Sequence, residues 1–349
     1  MERLACLIVA RYLGDGVIQS NFLRRLVERG YAQRYIVWTR PQMAFFFEGI
    51  AGCVVVCSQF PIATIKQFRM RATLDFLRAA REIRRQHPSV SIDLIGDVRE
   101  RAFGKLAGSR RHLHIGWAFD HPFNRLIRNP FGRGKPAVTV PTATLNIYDA
   151  YYMMLEHLTP SAPRNSLRSI VSPKNRLRQN GKNRPRIGLH PLASQRSKLW
   201  PFERWAILAS EFLRMGVDVT VFGAPGERAQ LESIFARVVN QISIVTETLR
   251  GMARAVEAID VAVGLDSFFV HHAASVGTRS IVLMGGNHPA IWAPPNADVL
   301  SGSGGCIYYP CYNKPKCLGS KTEFACIKSI SVETVLAAVR SALAQPSSS

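Results

Sequence analysis

The feature that most constrains the fold of this chain is an alternation of short apolar segments and helical segments, which occurs twice. In the first half, a continuous apolar run at 4–10 precedes apolar residues that recur at helical spacing as far as Gly30. In the second half, strand-like segments alternate with amphipathic ones between residues 186 and 284. Strands that alternate with helices usually pair in parallel beneath covering helices. The pattern therefore predicts an α/β chain with two doubly wound domains in tandem.

The sequence also gives approximate bounds for these elements. The predicted strands lie at 4–10, 35–38, 52–57, 91–95, 186–190, 218–222, 242–245, 261–264 and 280–284. The predicted helices lie at 17–30, 71–85, 202–215, 226–239, 248–258, 270–276 and 331–343.

A change in composition separates the two halves of the chain. Residues 161–185 are rich in Pro, Ser, Asn and basic residues, which is typical of a linker. The length of 349 residues suits two domains of about 150 residues each. We therefore expect an N-terminal domain at 1–160, a linker at 161–185, a C-terminal domain at 186–330, and a helix with a polar tail at 331–349.

The chain is strongly basic, with a formal net charge of +21. Such a charge favours an acidic partner, which includes nucleic acid, an anionic membrane surface and a phosphorylated substrate. The sequence has no zinc-finger spacing, RNP-like aromatic motif or basic-region heptad, so nucleic acid is the least favoured of these. It also lacks a spanning apolar run and the basic lead of a signal peptide, and we expect a cytoplasmic protein.

Polar residues that could form a ligand site follow the predicted strands. Asp15, Lys198, Glu227 and Asp266 each come shortly after one of them. Open parallel sheets bind ligands beyond the carboxyl ends of their strands. We therefore expect these residues to converge on a cleft between the two domains.

The stretch 188–200 carries the clearest signal for an anion site. It leaves a strand, passes through a polar loop and leads to a helix that starts near Pro201. Unpaired N–H groups at such a helix start attract anions. Lys198 and Ser194 would add a cation and a hydroxyl, although a solvated surface lysine is the alternative interpretation.

Four motifs, taken in order, resemble those of the heptosyltransferase family. They are L-G-D-G-V-I-Q-S at 13–20, S-x-x-x-K-x-W-P at 194–201, F-G-x-x-x-E at 222–227 and D-S-x-x-x-H at 266–271, and the stretches 91–111 and 284–294 also fit. The family transfers heptose from ADP-heptose to the inner core of lipopolysaccharide. The resemblance spans nearly the whole chain. It implies a GT-B fold with two Rossmann-like domains facing a central cleft, an inverting mechanism and no catalytic metal.

The resemblance implies that Asp15 is the general base that takes the proton of the acceptor hydroxyl. Gly14 and Gly16 flank it, and we expect the three residues to form a loop in which glycine permits unusual backbone angles. A helix cap is the alternative role for Asp15.

The remaining motifs are expected to bind the donor. The resemblance implies that Lys198 stabilises the charge on the departing ADP, with a hydrogen bond from Ser194. His190 and Arg196 lie nearby as secondary candidates. Glu227 is expected to accept hydrogen bonds from the ribose hydroxyls, and a capping role is its alternative.

The last donor motif departs from the family at one position. Asp266, Ser267, Phe268 and His271 are expected to bind the donor, but glycine usually follows the D-S pair where this chain has Phe268. Glycine lets a backbone N–H approach phosphate, whereas phenylalanine resists a positive φ. Donor preference is therefore the property most affected, and a structural role is the alternative for His271.

The seven cysteines fall into two groups. Three lie in apolar strand-like segments and are expected to be small buried hydrophobic residues. The other four, spaced C-x4-C-x5-C-x8-C, are Cys306, Cys311, Cys317 and Cys326. Four thiols so close together in a cytoplasmic protein favour a structural zinc or iron site over disulfides. Such a metal would stabilise a loop, and no cofactor is expected in catalysis.

The combined interpretation is an enzyme that transfers heptose from ADP-heptose to a phosphorylated lipopolysaccharide core acceptor. The basic N-terminal half suits an acceptor on an anionic membrane, so we expect peripheral association with the cytoplasmic face of the inner membrane. Two alternatives stay open. The enzyme could use another nucleotide sugar or a protein acceptor, or the chain could be a nucleic-acid-binding α/β protein.

Overall fold

The computed structural model describes residues 1–60, 70–117, 136–141, 145–160, 184–312 and 314–344, apart from the side chain of Val98. The chain divides into two compact units, Met1–Leu167 and Arg168–Ser349. The division falls within the predicted linker 161–185, most of which lies outside the described residues.

The N-terminal unit contains a six-stranded sheet in the order β3-β2-β1-β4-β5-β6, and every strand pair is parallel. Its strands are β1 (Glu2–Val9), β2 (Ala32–Thr39), β3 (Cys53–Cys57), β4 (Val90–Asp93), β5 (Arg111–Trp117) and β6 (Val138–Val140). Its helices are α1 (Leu13–Glu28), α2 (Met70–Arg85), α3 (Val98–Leu106) and α4 (Ile147–Leu158). The chain order reverses between the neighbouring strands β1 and β4, which makes this the switch point of a doubly wound sheet.

The C-terminal unit repeats this topology in the order β12-β11-β10-β7-β8-β9. Its strands are β7 (Arg186–His190), β8 (Asp218–Gly223), β9 (Ser243–Thr246), β10 (Val261–Leu265), β11 (Arg279–Met284) and β12 (Ala297–Ser301). Its helices are α5 (Phe202–Arg214), α6 (Arg228–Ile234), α7 (Leu249–Val256), α8 (Phe268–Ser275), α9 (Pro289–Trp292), α10 (Ala325–Lys328) and α11 (Val332–Ala344). The switch point lies between β7 and β10, where Gly264 is opposite His190.

Each unit has its own apolar core. In the N-terminal unit the run 4–10 is buried along its whole length, as expected for a central parallel strand covered on both faces. Trp38 packs among the rings of Phe60, Phe76 and Phe103 beneath α2 and α3. In the C-terminal unit, Trp200 and Trp205 are both buried and meet edge to face at the start of α5.

The predicted fold class is confirmed, but several elements differ from the prediction. The helix expected at 17–30 begins at Leu13, and the helix expected at 226–239 is a short turn followed by α6, which ends at Ile234. The sequence interpretation missed α3, α4, α9, α10, β5, β6 and β12. A three-residue strand such as β6 is too short to show a period, and α4 depends on the side chain of Asn146, which accepts a hydrogen bond from the Tyr148 N–H at 3.0 Å.

No helix in the described part of the chain is long and apolar enough to cross a membrane.

Gly188 provides a test of how tightly the C-terminal sheet packs. A Cβ atom at this central position of β7 would collide with the side chains of Ile259 and Phe222. We expect Gly188→Ala to lower the free energy of unfolding by about 1–3 kcal/mol, because overpacking a core forces neighbouring groups to move. Denaturant unfolding measures the change. Gly226→Ala is the matched control, since a Cβ there meets no atom within 4 Å. Equal stability of the two variants would contradict this packing.

Candidate functional site

The candidate site of the C-terminal unit lies where β7 and β10 end beside each other at the switch point. After β7 the chain forms a short 3-10 turn at Arg196–Lys198, and after β10 it passes directly into Asp266. Pairing of β7 with β10 brings these two loops together across 68 residues of sequence. The topology of the sheet therefore positions both residues.

Lys198 is held by Asp266 through two short hydrogen bonds. Its Nζ donates to the carboxylate Oδ2 and to the backbone carbonyl of Asp266, each at 2.8 Å. The side chains are 18% and 8% exposed, so the pair is largely withdrawn from solvent. A lysine held in this way presents its charge at one place instead of moving freely in solvent, which contradicts the alternative of a solvated surface lysine.

The carboxylate of Asp266 has further partners. Asn287 Nδ2 donates to the same Oδ2 at 2.5 Å, and His271 Nε2 lies 3.9 Å from Oδ1. Burial would raise the pKa of Asp266, but the adjacent His271 side chain and the charge of Lys198 outweigh it and hold the pKa well below its usual value. Asp266 is therefore ionised and orients three side chains around it.

The start of α8 supplies groups suited to an anion. Ser267 precedes the helix, and its buried hydroxyl has no hydrogen-bond partner among the described residues. Phe268 is the first residue of the helix, and its ring stacks on His272 with centroids 5.5 Å apart. The expected conflict between phenylalanine and a positive φ does not arise, because position 268 is helical. Backbone N–H groups at this helix start remain oriented toward an anion.

His190 ends β7 at the same edge of the sheet. Its ring stacks on Phe269 with centroids 5.0 Å apart, and its buried Nδ1 has no partner in the described part of the chain. Burial lowers the pKa of His190 to about 4, so the ring is neutral near pH 7. A neutral imidazole can accept or donate a hydrogen bond to a ligand there.

Three other predicted residues are not part of this network. Ser194 is exposed in the loop after β7, and Arg196 is also exposed, with Glu323 3.7 Å away. Glu227 closes the turn after β8, where its Oε2 accepts a hydrogen bond from the Ala224 N–H at 2.6 Å. The capping alternative for Glu227 is thus observed, and its ribose contact stays a prediction.

In the N-terminal unit, the prediction of a loop around Asp15 is wrong. Gly14, Asp15 and Gly16 lie in the first turn of α1, which begins at Leu13. The Asp15 carboxylate is buried and accepts a hydrogen bond from the Tyr12 N–H at 3.4 Å, so it helps to cap the helix. Gly16 is needed for close packing, because a Cβ there would lie 3.0 Å from the Phe46 ring. The role of Asp15 as a base stays a prediction.

An ionic network that the sequence interpretation missed lies beside Asp15. The Arg11 guanidinium follows β1 and donates to both carboxylate oxygens of Glu100 at 2.6 and 3.0 Å, and it pairs with Asp97 at 2.8 Å. The Glu100 side chain is fully buried. Burial raises the pKa of Tyr151 well above its usual value, and the nearby charge of Asp15 adds to the rise.

Asp93 ends β4 next to this network. Its carboxylate accepts hydrogen bonds from the N–H groups of Ile95 and Gly96 at 2.8 and 3.0 Å. Burial raises its pKa to about 8, and the charge of Glu100 contributes. The stretch 91–111 fitted the family resemblance, but nothing in the sequence showed that its acids and Arg11 would meet.

The four cysteines of the C-terminal group line one cavity, together with Ser197, Gly286 and Phe324. Burial raises the pKa of the Cys326 thiol, and the other three sulfur groups add to the rise. Among the described residues, however, no three His, Cys, Asp or Glu side chains are close enough to hold a metal ion. The N–H groups of Cys311 and Tyr312 both donate to the Gly286 carbonyl, which precedes Asn287.

The fold is shared with solved structures. The two doubly wound parallel-sheet units are structurally similar to GT-B glycosyltransferases. A structure described as glycosyltransferase family 9 from Veillonella parvula DSM 2008 superposes with a TM-score of 0.72 at 18% identity, covering 98% of this chain and 97% of that one. At this identity the similarity establishes the fold.

Two E. coli structures show the same fold. ADP-heptose lps heptosyltransferase II has a TM-score of 0.65 at 15% identity, covering 98% of each chain. Heptosyltransferase WaaC with ADP-2-deoxy-2-fluoro heptose has a TM-score of 0.67 at 14% identity, covering 97% of this chain and 99% of that one.

A family model matches just under half of the sequence. Residues 157–321 match the model of glycosyltransferase family 9 (heptosyltransferase), which supports a glycosyltransferase. The resemblance inferred from the four motifs is confirmed. No curated protein matches the chain.

The ion pair of Lys198 and Asp266 can be tested by removing its negative partner. We expect Asp266→Asn to lower the free energy of unfolding by on the order of 2–4 kcal/mol near pH 7, because it leaves Lys198 largely buried without a counter-charge. Denaturant unfolding measures the loss. Asp298→Asn is the matched control, since Asp298 is half-exposed and 3.8 Å from Arg279, and such a pair contributes below about 1 kcal/mol.

The effect should also depend on pH. The folded-state pKa of Asp266 lies below its unfolded value, so its contribution is present above the unfolded pKa of about 3.9 and is lost as the pH falls further. The stability difference between wild type and Asp266→Asn should therefore begin to shrink below about pH 4 and continue to shrink as the pH falls toward the lower folded-state pKa. A constant difference down to acid pH would contradict an ionised Asp266.

Proposed function

We propose that this glycosyltransferase transfers heptose from ADP-heptose to a phosphorylated acceptor of the lipopolysaccharide inner core, with inversion at the anomeric carbon. The observation that carries the proposal is the Lys198–Asp266–Asn287 network beside the open start of α8, within the family 9 domain. The similar E. coli enzymes are described with ADP-heptose or its fluoro analogue as donor. The switch-point site has the positive charge and the hydrogen-bond donors that a diphosphate requires.

On the donor side, Lys198 places its ammonium where negative charge develops on the departing ADP. The bond between the anomeric carbon and the diphosphate oxygen breaks, and ADP leaves with the electron pair. The Ser267 hydroxyl and the N–H groups of α8 donate hydrogen bonds to the phosphate oxygens. Because Asp266 fixes Lys198 in advance, little reorganisation is needed when the charge appears. Ser194, Glu227 and His271 are proposed to bind other parts of the donor.

On the acceptor side, a hydroxyl of the acceptor attacks the anomeric carbon from the face opposite ADP. Asp15 takes the hydroxyl proton as the new carbon–oxygen bond forms. Its hydrogen bond from Tyr12 and its place in the first turn of α1 fix the direction of the carboxylate. No step of this scheme uses a metal or an organic cofactor.

The net positive charge of the chain supports a proposal for the acceptor and the location of the enzyme. A net charge of +21 suits an acceptor that carries phosphate and acidic sugars. We propose that the enzyme works at the cytoplasmic face of the inner membrane as a peripheral protein. Because Phe268 replaces the usual glycine, a different nucleotide sugar is the alternative donor. Assays of ADP release from ADP-heptose distinguish the two.

We also propose that the cysteine cavity holds one structural zinc or iron ion. Four thiol groups around one cavity match the ligand chemistry of a tetrahedral thiolate site. In the described residues the sulfur atoms are too far apart for such a site. Metal binding would therefore require the loop of 306–326 to contract. The metal would stabilise this loop, and it takes no part in the transfer.

The general base is tested by Asp15→Asn. We expect ADP release from ADP-heptose in the presence of a heptose-deficient lipopolysaccharide acceptor to fall by about 10²–10⁴-fold, because no carboxylate takes the proton. ADP affinity, measured by calorimetry, should change little, because the donor binds to the other unit.

The control is Asp149→Asn, which removes a first-turn aspartate from α4 of the same unit. It should cost at most about 1 kcal/mol, the contribution of a negative charge near a helix N-terminus, and leave ADP release near the wild-type rate. Wild-type rates in Asp15→Asn would remove Asp15 from the mechanism. If folded wild type releases no ADP from ADP-heptose, other nucleotide sugars should be assayed next.

The metal proposal is tested by elemental analysis of protein purified without chelator. We expect about one zinc or iron ion per chain, since four thiolates complete one tetrahedral site. Cys311→Ser with Cys317→Ser should lose the ion, whereas the exposed Cys57→Ser should keep it. Protein that contains neither metal would contradict the proposal.

A further inference from the structure

Helix α2 of the N-terminal unit exposes apolar side chains that the core does not use. Met70, Leu74 and Leu77 are 75%, 53% and 38% exposed, and they follow one another at helical spacing. The buried side of the same helix is formed by other residues, namely Phe76, Ala79, Ala80 and Ile83. The helix therefore has a second apolar stripe that the fold leaves in solvent.

Five arginines share this exposed side. With about 100° per residue in an α-helix, Met70, Leu74, Leu77 and the arginines fall within an arc of about 140°, opposite the buried side. The arginines are Arg71, Arg78, Arg81, Arg84 and Arg85, and all five are exposed. We call this set of eight residues the α2 face. The two acids of the helix, Asp75 and Glu82, lie just outside the arc, and Arg78 and Asp75 form only an exposed pair.

The α2 face continues onto the neighbouring turn. Gly108, after α3, lies against the aliphatic part of Arg84, so the two segments are adjacent. Lys105 at the end of α3 and Arg110 after the turn are exposed, and Leu106, the last residue of α3, is 41% exposed. Cations and aliphatic side chains are thus mixed over both segments.

This combination indicates a particular kind of partner. A purely electrostatic site would not need three exposed apolar residues, and a protein interface formed with a second copy would bring the arginines of both copies together. Helices that lie in a membrane interface combine an apolar stripe with flanking Lys and Arg, which keep their charges at the headgroups. Anionic headgroups also supply the opposite charge that five arginines require.

We propose that the α2 face is the surface by which this protein binds the anionic headgroups and outer acyl region of a lipid bilayer. The inference rests on the proposed function to the extent that the acceptor is displayed on a membrane. In this arrangement Met70, Leu74 and Leu77 enter the interface, and the arginines contact lipid phosphates. The α2 face belongs to the acceptor-binding unit, so membrane binding would hold that unit near its substrate.

Vesicle binding by the full-length chain tests the proposal. The probes are vesicles of phosphatidylcholine alone and vesicles that contain about 30% phosphatidylglycerol, a typical anionic lipid. We expect wild type to bind the anionic vesicles at least about tenfold more tightly than the neutral ones. Leu74→Ser with Leu77→Ser, and separately Arg78→Ala with Arg81→Ala, should each weaken this binding by about tenfold or more.

Matched controls come from α5 of the other unit. Ile207 is 48% exposed, a fraction similar to the 53% of Leu74. The Arg214 side chain is 71% exposed, and that of Arg78 is 77% exposed. Ile207→Ser and Arg214→Ala should bind anionic vesicles as wild type does. Thermal unfolding should show that all variants remain folded, since every substituted side chain is substantially exposed.

Several outcomes would overturn the proposal. Equal binding of wild type to both vesicle types, no binding to either, or unchanged binding by the two α2 double variants would each do so. Binding of single-stranded DNA without binding of anionic vesicles would identify nucleic acid as the partner instead. Vesicle binding that depends on α2 would support the proposal.

The assay separates this proposal from the proposed function. With a short soluble core acceptor, the α2 double variants should release ADP at the wild-type rate, because the α2 face does not include Asp15 or the donor site. If wild type binds anionic vesicles through α2 but releases no ADP from ADP-heptose, the proposed function fails and the membrane surface stands.

Discussion

The arrangement of the C-terminal site depends on the buried carboxylate of Asp266. It accepts hydrogen bonds from Lys198 and Asn287 and lies beside His271, so three segments of the chain are fixed by one charged group. A buried carboxylate without partners would be costly, and its partners would then be unconstrained. Parallel pairing of β7 with β10 is what brings these partners within reach. The charge network therefore depends on the topology of the sheet.

The two units use the same topology with opposite electrostatic results. In each, a cation follows the first strand and an aspartate ends or follows the neighbouring strand across the switch point: Arg11 and Asp93 in one unit, Lys198 and Asp266 in the other. Lys198 bonds directly to Asp266 and lowers the pKa of that carboxyl. Arg11 is instead bound by Glu100 and Asp97. Burial therefore raises the pKa of Asp93 to about 8. One switch point therefore holds a lysine paired with its neighbouring aspartate, and the other holds an arginine enclosed by two carboxylates.

Much of the fold could be predicted from local sequence, whereas the contacts of the site could not. The apolar run 4–10 and the strand–helix alternation after residue 186 depend on neighbouring residues. They correctly predicted two doubly wound units, although β5, β6 and β12 were missed. Asp15 was misplaced because a Gly-Asp-Gly sequence favours a loop, whereas the residue lies in the first turn of α1, where Gly16 packs against Phe46 from a distant segment. The pairing of Lys198 with Asp266 spans 68 residues and leaves no local pattern. The Arg11–Glu100 bond spans 89 residues and was missed for the same reason.

The cysteine loop also contacts the network around Asp266, through the backbone. The N–H groups of Cys311 and Tyr312 hold the Gly286 carbonyl at 3.0 and 2.8 Å, and the next residue, Asn287, donates to Asp266. A Cβ at Gly285 would lie 2.8 Å from the carbonyl oxygen of Ser197, the residue before Lys198. The cavity lined by the four thiols thus touches both chain segments that meet at Asp266. The cysteine loop is therefore packed against the segments that carry Lys198 and Asn287, although no cysteine belongs to the network around Asp266.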